Sequence, residues 1–248
     1  MPPSARVSGQ HIANTSERGH GRQYISRDSS LIFVLMTLRL HLLRHGQTVA
    51  SRGNLFCGRR LDPALTDEGL AMAQSFAEAY RHVKWSGIYS SPLSRAVTTA
   101  MPLSEAVGVP IQTRDGFAEI DYGQWDGLSA AEVSERFHVE YERWTADPAW
   151  NPPTGGETAV ALAQRVTHEL ERIAALHSDG NVLIVAHKAT IRVAICALLG
   201  VDVGRFRYRF DCPVGSVTII EFRQHGPFAF AIADRSHLDA RQRALEGT

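Results

Sequence analysis

Leu38-Arg39-Leu40-His41-Leu42-Leu43, running at once into Arg44-His45-Gly46-Gln47-Thr48, decides how the rest of the chain is read. The first six residues alternate apolar and polar before closing on two leucines, the pattern of a strand with at least one buried face. A cation, an imidazole and a glycine then stand where the strand must stop. In an open α/β sheet, ligands sit in the crevice at the carboxyl ends of the strands. The arrangement recurs far downstream, in Asn181-Val182-Leu183-Ile184-Val185-Ala186 followed by His187. Two apolar strands that each end in a histidine bring both imidazoles to one crevice.

Working outward, Thr66 caps a helix whose first turn carries Asp67 and Glu68, suited to the positive end of a helix dipole. Leu70, Ala73, Phe76, Ala77, Tyr80 and Val83 form its apolar stripe. Residues 85–90 read as a short strand, and Ser91-Pro92 as the start of a second helix with a capping hydroxyl and proline at the first position. Pro102 should break or kink that helix. Residues 110–113 make a peripheral strand, residues 130–137 and 140–146 short helices, and 147–156 a Pro- and Gly-rich loop. A long helix follows with Leu162, Val166, Leu170, Ile173 and Leu176 inward, then the strand ending at Ala186 and a helix closed by Gly200. Residues 216–222 and 228–233 read as a terminal hairpin. Alternating strands and helices imply an α/β fold with a mostly parallel sheet covered on both faces and an antiparallel edge. One domain, residues 36–238, accounts for all of this. Residues 1–35 read as a disordered or dispensable extension ahead of a true start at Met36, and 239–248 as a polar C-terminal tail.

The composition excludes several classes. Lys+Arg 26 balances Asp+Glu 26, so no general attraction to nucleic acid or an anionic membrane is expected, and anion recognition must be local. Cys57, Cys196 and Cys212 are far apart, odd in number and without metal-ligand spacing, which suggests neither a disulfide framework nor a zinc site. No apolar run approaches the ~20 residues that span a bilayer. The expectation is a cytoplasmic protein.

Arg44 beside His45 opposes a divalent cation and suits an anion. Arg95 falls in the first turn of the Ser91-Pro92 helix, where backbone N–H groups also favour negative charge. Two guanidinium forks and imidazole donors describe a phosphate pocket. Arginines would hold a histidine within it neutral, and a neutral imidazole is a nucleophile. Arg44, Arg95 and His187 then steady the equatorial oxygens, and Glu119 is a candidate to protonate the leaving oxygen.

Taken together, Arg44-His45-Gly46, Ser91-Pro92-Leu93-Ser94-Arg95-Ala96, Glu119 ahead of Tyr122-Gly123-Gln124-Trp125-Asp126-Gly127, and Val185-Ala186-His187 resemble the histidine phosphatase superfamily, the phosphoglycerate-mutase-like group. The similarity runs from about residue 37 to about 238 and is closest to its small broad-specificity phosphatases. It implies a three-layer α/β/α sandwich, a phosphohistidine on His45, phosphate contacts from Arg44, Arg95 and His187, Glu119 as proton donor, and neither metal nor cofactor. The implied activity is hydrolysis of small phosphorylated metabolites. The alternatives are a cofactor-dependent phosphoglycerate-type mutase and a non-catalytic phospho-ligand binder. Gln47, Ser51 and Lys188 depart from the residues usual in the family, which bears on substrate choice. The expected substrate-binding set is Ser51, Asn54, Cys57, Gly58, Arg59 and Lys188. The partner is a small phosphate ester, with a homodimer left open.

Overall fold

The computed structural model describes residues 37–245 and Gly247; the expectations for residues 1–35 and for a start at Met36 lie outside the described residues. Strand β1 (Leu38–Arg44) leads into a one-turn helix α1 (Val49–Arg52), then α2 (Asp67–Tyr80), β2 (Trp85–Ser90), α3 (Ser94–Val107) and β3 (Ile111–Thr113). Helices α4 (Ala130–Arg136) and α5 (His138–Ala146) precede the long α6 (Ala159–Leu176), β4 (Gly180–Ala186) and α7 (Lys188–Leu199). A short α8 (Phe206–Arg209), the hairpin strands β5 (Val217–Arg223) and β6 (Gly226–Asp234), and α9 (Ala240–Arg243) follow.

The strands form one sheet in the order β3-β2-β4-β1-β5-β6. β1 and β2 both pair parallel with β4, and β3 parallel with β2. β5 pairs antiparallel with β1 and with β6, which puts the hairpin at the edge, as the alternation of elements implied. The two-residue period of the strands splits the core into layers. Leu38, Leu40 and Leu42 join Val182 and Ile184 against Leu162, Val166 and Ile173 of α6 and Ile191 and Ile195 of α7. Leu43, Leu183, Val185 and Ile88 face the other way, onto Phe76 of α2 and Ala96, Ala100 and Leu103 of α3. Each such aliphatic side chain contributes about 1.5–3 kcal/mol on full burial. A one-residue slip of β1 would exchange its two faces, so the register is firmly set.

That register pairs Leu38 with Gly180 and Arg44 with Ala186. β1 and β4, side by side in the middle of the sheet, therefore end at the same level, and the next residues are His45 and His187. His41 sits on the α2 face, edge-on to Trp85 at 4.8 Å between ring centroids, with Nε2 3.1 Å from Asn181 Oδ1. Burial is the main reason that its pKa falls to about 4.

Four local expectations need correction. α3 begins at Ser94 with Leu93 as its N-cap, so Ser91 and Pro92 precede the helix instead of opening it. Pro102 lies inside α3, which runs on past it; the cost is one intrahelical bond, to the carbonyl of Thr98. Leu70 and Leu176, assigned to buried stripes, are 46% and 66% exposed; Leu70 projects off the covered side of its helix, and Leu176 ends its own. The stretch read as a polar tail packs back: Asp239 caps α9, Gln242 Nε2 donates to Ser75 Oγ at 3.0 Å, and Gly247 is buried. No described helix is long and apolar enough to cross a membrane.

Candidate active site

At the carboxyl ends of β1 and β4, the His45 and His187 rings lie 5.2 Å apart between centroids. His45 Nδ1 is 2.7 Å from the Gly46 carbonyl oxygen. A carbonyl only accepts, so Nδ1 carries the hydrogen and Nε2 keeps its lone pair. Burial first, and then the charges of Arg95 and Arg44, hold the His45 pKa well below 6.5. The ring is neutral at pH 7, with a basic nitrogen free. His187 is fully buried, and its Nε2 shares a 2.7 Å hydrogen bond with Ser91 Oγ. Its Nδ1 has no hydrogen-bond partner among the described residues. Burial and Arg95 likewise push its pKa well down.

The two arginines are fixed by backbone oxygens. Arg44 Nη1 donates to the carbonyls of Cys212 at 2.7 Å and Gly247 at 3.1 Å. Arg95 Nη1 donates to Leu61 O at 2.6 Å and Asp62 Oδ1 at 3.2 Å, and Nη2 to Gly58 O at 3.2 Å. The Nε atoms of both lack a partner among the described residues. Asp62 also accepts from the backbone N–H groups of Ser94 at 2.6 Å and Arg95 at 3.4 Å. The start of α3, expected to offer its N–H groups to an anion, is thus capped by a carboxylate from a distant loop. Arg95 brings its guanidinium to the site, and the helix end does not.

Glu119 is locked from two sides. Its Oε1 accepts from Ile120 N at 2.9 Å, Thr190 N at 3.1 Å and Thr190 Oγ1 at 3.0 Å, and its Oε2 accepts from Ala189 N at 3.1 Å. His187 is the N-cap of α7 but makes no side-chain cap, so Glu119 supplies the missing acceptor. One carboxylate thereby ties the loop before Tyr122 to the end of β4.

The turn after His45 is pressed against α2. Gln47 O accepts the Thr66 N–H at 2.9 Å, and Gly46 N donates to Thr99 Oγ1 at 3.0 Å. A Cβ on Gly46 would stand 2.3 Å from the Gly69 carbonyl oxygen, and one on Gly69 would stand 2.1 Å from the Gln47 carbonyl oxygen. Two glycines let the backbones touch here.

Arg44, His45, Arg95 and Glu119 line the inner part of a cleft of about 530 Å³, with Ser51, Asn54, Cys57 and Lys188 also on its walls. Gly58 and Arg59 are not among the lining residues, and neither is His187, which lies buried beneath His45. Gly58 is buried behind Arg95, its N–H donating to Asp126 Oδ1 at 2.6 Å, and Arg59 is exposed. Ser51 Oγ is committed to Thr48, accepting from its N–H at 2.8 Å. The sequence reading missed Asp62 and Ser91, which hold Arg95 and His187, and the far wall of the cleft, where Arg192, Arg207, Trp144 and Tyr122 appear. Of these, Tyr122 stood in the motif after Glu119 without a role in the cleft, and Arg192 stands one helical turn beyond Lys188. Among the described residues no group of three or more His, Cys, Asp or Glu side chains is placed to hold a metal ion. A neutral imidazole nitrogen flanked by two fixed cations is suited to attack an anionic electrophile.

Residues 40–235 match the family described as histidine phosphatase superfamily (branch 1). Phosphoserine phosphatase 1 of Hydrogenobacter thermophilus is 32% identical over 187 residues, 75% of this chain and 88% of that protein. A bifunctional protein of Mycobacterium tuberculosis is also 32% identical, over 80% of this chain, which spans only 54% of that longer protein. The native structure of a mycobacterial glucosyl-3-phosphoglycerate phosphatase superposes with a TM-score of 0.74 at 27% identity, covering 80% of this chain and all of that one.

Proposed function

Since the chain belongs to the histidine phosphatase superfamily, we propose that it hydrolyses small phosphate monoesters through a phosphohistidine on His45. The observation that carries this reading is the His45 tautomer: Nδ1–H is spent on the Gly46 carbonyl, which leaves Nε2 as the lone-pair nitrogen between two arginines. Nε2 attacks phosphorus in line, a P–N bond forms, and the P–O bond to the leaving group breaks. Glu119, protonated for this step, gives its proton to the leaving oxygen. Arg44, Arg95 and His187 hold the equatorial oxygens; the unpartnered Nε atoms of the arginines and Nδ1 of His187 support that role. Water then attacks the phosphohistidine and loses its proton to Glu119, and inorganic phosphate leaves. No metal or cofactor enters these steps. The reading places the catalytic side chains within residues 36–238, with the Gly247 carbonyl steadying Arg44, in a cytoplasmic setting, on substrates that include the kinds named for its relatives.

Acid-quenched enzyme should carry an acid-labile, base-stable phosphoryl group, absent in His45→Ala. Glu119→Gln should slow esters with poor leaving groups far more than p-nitrophenyl phosphate, whose leaving group needs little protonation. Full turnover by His45→Ala would overturn the assignment.

A further inference from the structure

The two imidazoles of the site are held by different nitrogens. The Gly46 carbonyl takes the Nδ1 hydrogen of His45 and leaves Nε2 as a lone pair. His187 is held the other way round: its Nε2 lies 2.7 Å from Ser91 Oγ, and its Nδ1 has no hydrogen-bond partner among the described residues. A deprotonated phosphoryl oxygen only accepts, so His187 can steady one only if Nδ1 carries the hydrogen. Which ring nitrogen of a neutral imidazole is protonated is set by the bond that the other one makes. The direction of the Ser91 bond therefore decides whether His187 meets the ester as a donor or as a repelling lone pair.

Ser91 has little freedom in that choice. It and His187 are both fully buried. Its backbone N–H donates to the Val185 carbonyl at 2.9 Å, which carries the pairing of β2 with β4 one step further, and its carbonyl accepts from Ser90 Oγ at 2.9 Å. Ser91 Oγ itself accepts from Leu93 N at 3.3 Å. Among the described residues, His187 Nε2 is the one acceptor paired with its hydroxyl hydrogen. Were Nε2 the donor, that hydrogen would be stranded in a buried place. With Oγ as the donor, the one group left over is His187 Nδ1–H, which the ester engages. Burial, and next Arg95 and His45, hold the His187 pKa well below 6.5, so the ring donates as a neutral tautomer.

Building on the phosphatase reading, we infer that Ser91 is a positioning residue: its hydroxyl donates to His187 Nε2, fixes the hydrogen on Nδ1, and so makes His187 a donor to the phosphoryl oxygens. The direct test is heteronuclear NMR of the native enzyme with isotopically labelled histidine at pH 7, the His187 signals being identified by their loss in His187→Gln. Nδ1 of His187 should be the protonated nitrogen and Nε2 the bare one. Hydrogen on Nε2 would overturn the inference whatever any variant does. Ser91→Ala should release the tautomer and lower kcat about tenfold, less than the roughly 10²–10³-fold cost of deleting a donor outright, with KM little changed because the lost interaction belongs to the transition state. Ser91→Cys fills the same space but donates weakly, so it should behave as the alanine variant does. Native kcat in either variant would refute the donor role, and a native cysteine variant beside an impaired alanine one would show that Ser91 only fills space. Circular dichroism checks that both variants fold, and the native spectrum stands without them. Absence of a phosphoenzyme on His45 would instead remove the phosphatase reading and leave the tautomer measurement standing.

Discussion

Gly69→Ala sets two rules against each other. Gly69 is the third residue of α2 and does not line the cleft. Helix propensity alone says that alanine should stabilise the helix by about 1 kcal/mol. The packing says the opposite, because the new Cβ would meet the Gln47 carbonyl oxygen at 2.1 Å and its nitrogen at 2.9 Å, both backbone atoms that cannot swing aside. Restoring a tolerable separation requires the 46–48 turn or the first turn of α2 to move by about 1 Å. A clash this short against fixed backbone atoms belongs at the upper end of the range for overpacking, about 2–3 kcal/mol, which outweighs the propensity gain and leaves a net loss of about 1–2 kcal/mol. For a chain of this size that lowers Tm by about 2–8 °C. The same movement is transmitted through Gly46 to His45 Nε2, and a 1 Å misplacement of a reacting atom costs about 10²-fold in rate. Urea unfolding and kcat with p-nitrophenyl phosphate measure both effects. A Gly69→Ala protein that is as stable as the native one or more so, with full kcat, would refute the close-packing argument.

The pH dependence follows from the buried histidines. Because the His45 pKa of the free enzyme lies well below 6.5, the acid limb of kcat/KM that belongs to the enzyme should fall well below pH 6.5 once the ester's own second ionisation at about 6 is corrected for, and an enzyme limb at 6.5 or higher would contradict the neutral nucleophile. Stability should track the same sign: His41, at about 4 when folded, refuses a proton that the unfolded chain accepts near 6.5. Its contribution is therefore complete above pH 6.5 and declines towards pH 4, by at most about 1.4 kcal/mol per pH unit, and an unfolding midpoint unchanged between pH 7 and 5 would exclude it. Asp62→Ala should cost about 1 kcal/mol by uncapping α3 and at least tenfold in kcat by freeing Arg95. Asp62→Asn, which still caps, should recover the stability and so separate the two effects; a native kcat in the alanine variant would refute the positioning role.

The strands, the long helices and the residues gathered at the cleft were legible because their signals are local: period-2 runs in β1 and β4, a capping Thr66, a closing Gly200. The start of α3 was misread for a physical reason. Ser91 and Pro92 look like a cap and a first helical residue, but the Ser91 hydroxyl is drawn to His187 and the cap comes from Asp62, a through-space choice that no window around residue 91 contains. Glu119 was visible as an acid in a turn-rich loop, yet its lock on the first turn of α7 depends on contacts about 70 residues away in the chain. Arg207 was invisible as a cleft residue, because a one-turn helix has no periodicity to read.

The pairing of β1 with β4 joins residues as far apart in the chain as His41 and Asn181, separated by 140 positions. His45 and His187 come within reach of one another only when that pairing forms. During refolding, turnover should therefore return with the slowest long-range closure and lag behind the helical signal, since non-local contacts form late. Cutting the chain within the 147–156 loop would part Arg44, His45, Arg95 and Glu119 from His187 and Lys188. Each fragment would be inert alone, and hydrolysis regained on mixing would report docking of the two halves across three interleaved strand seams, β2 with β4, β4 with β1 and β1 with β5, so that the enzyme serves as its own sensor of assembly.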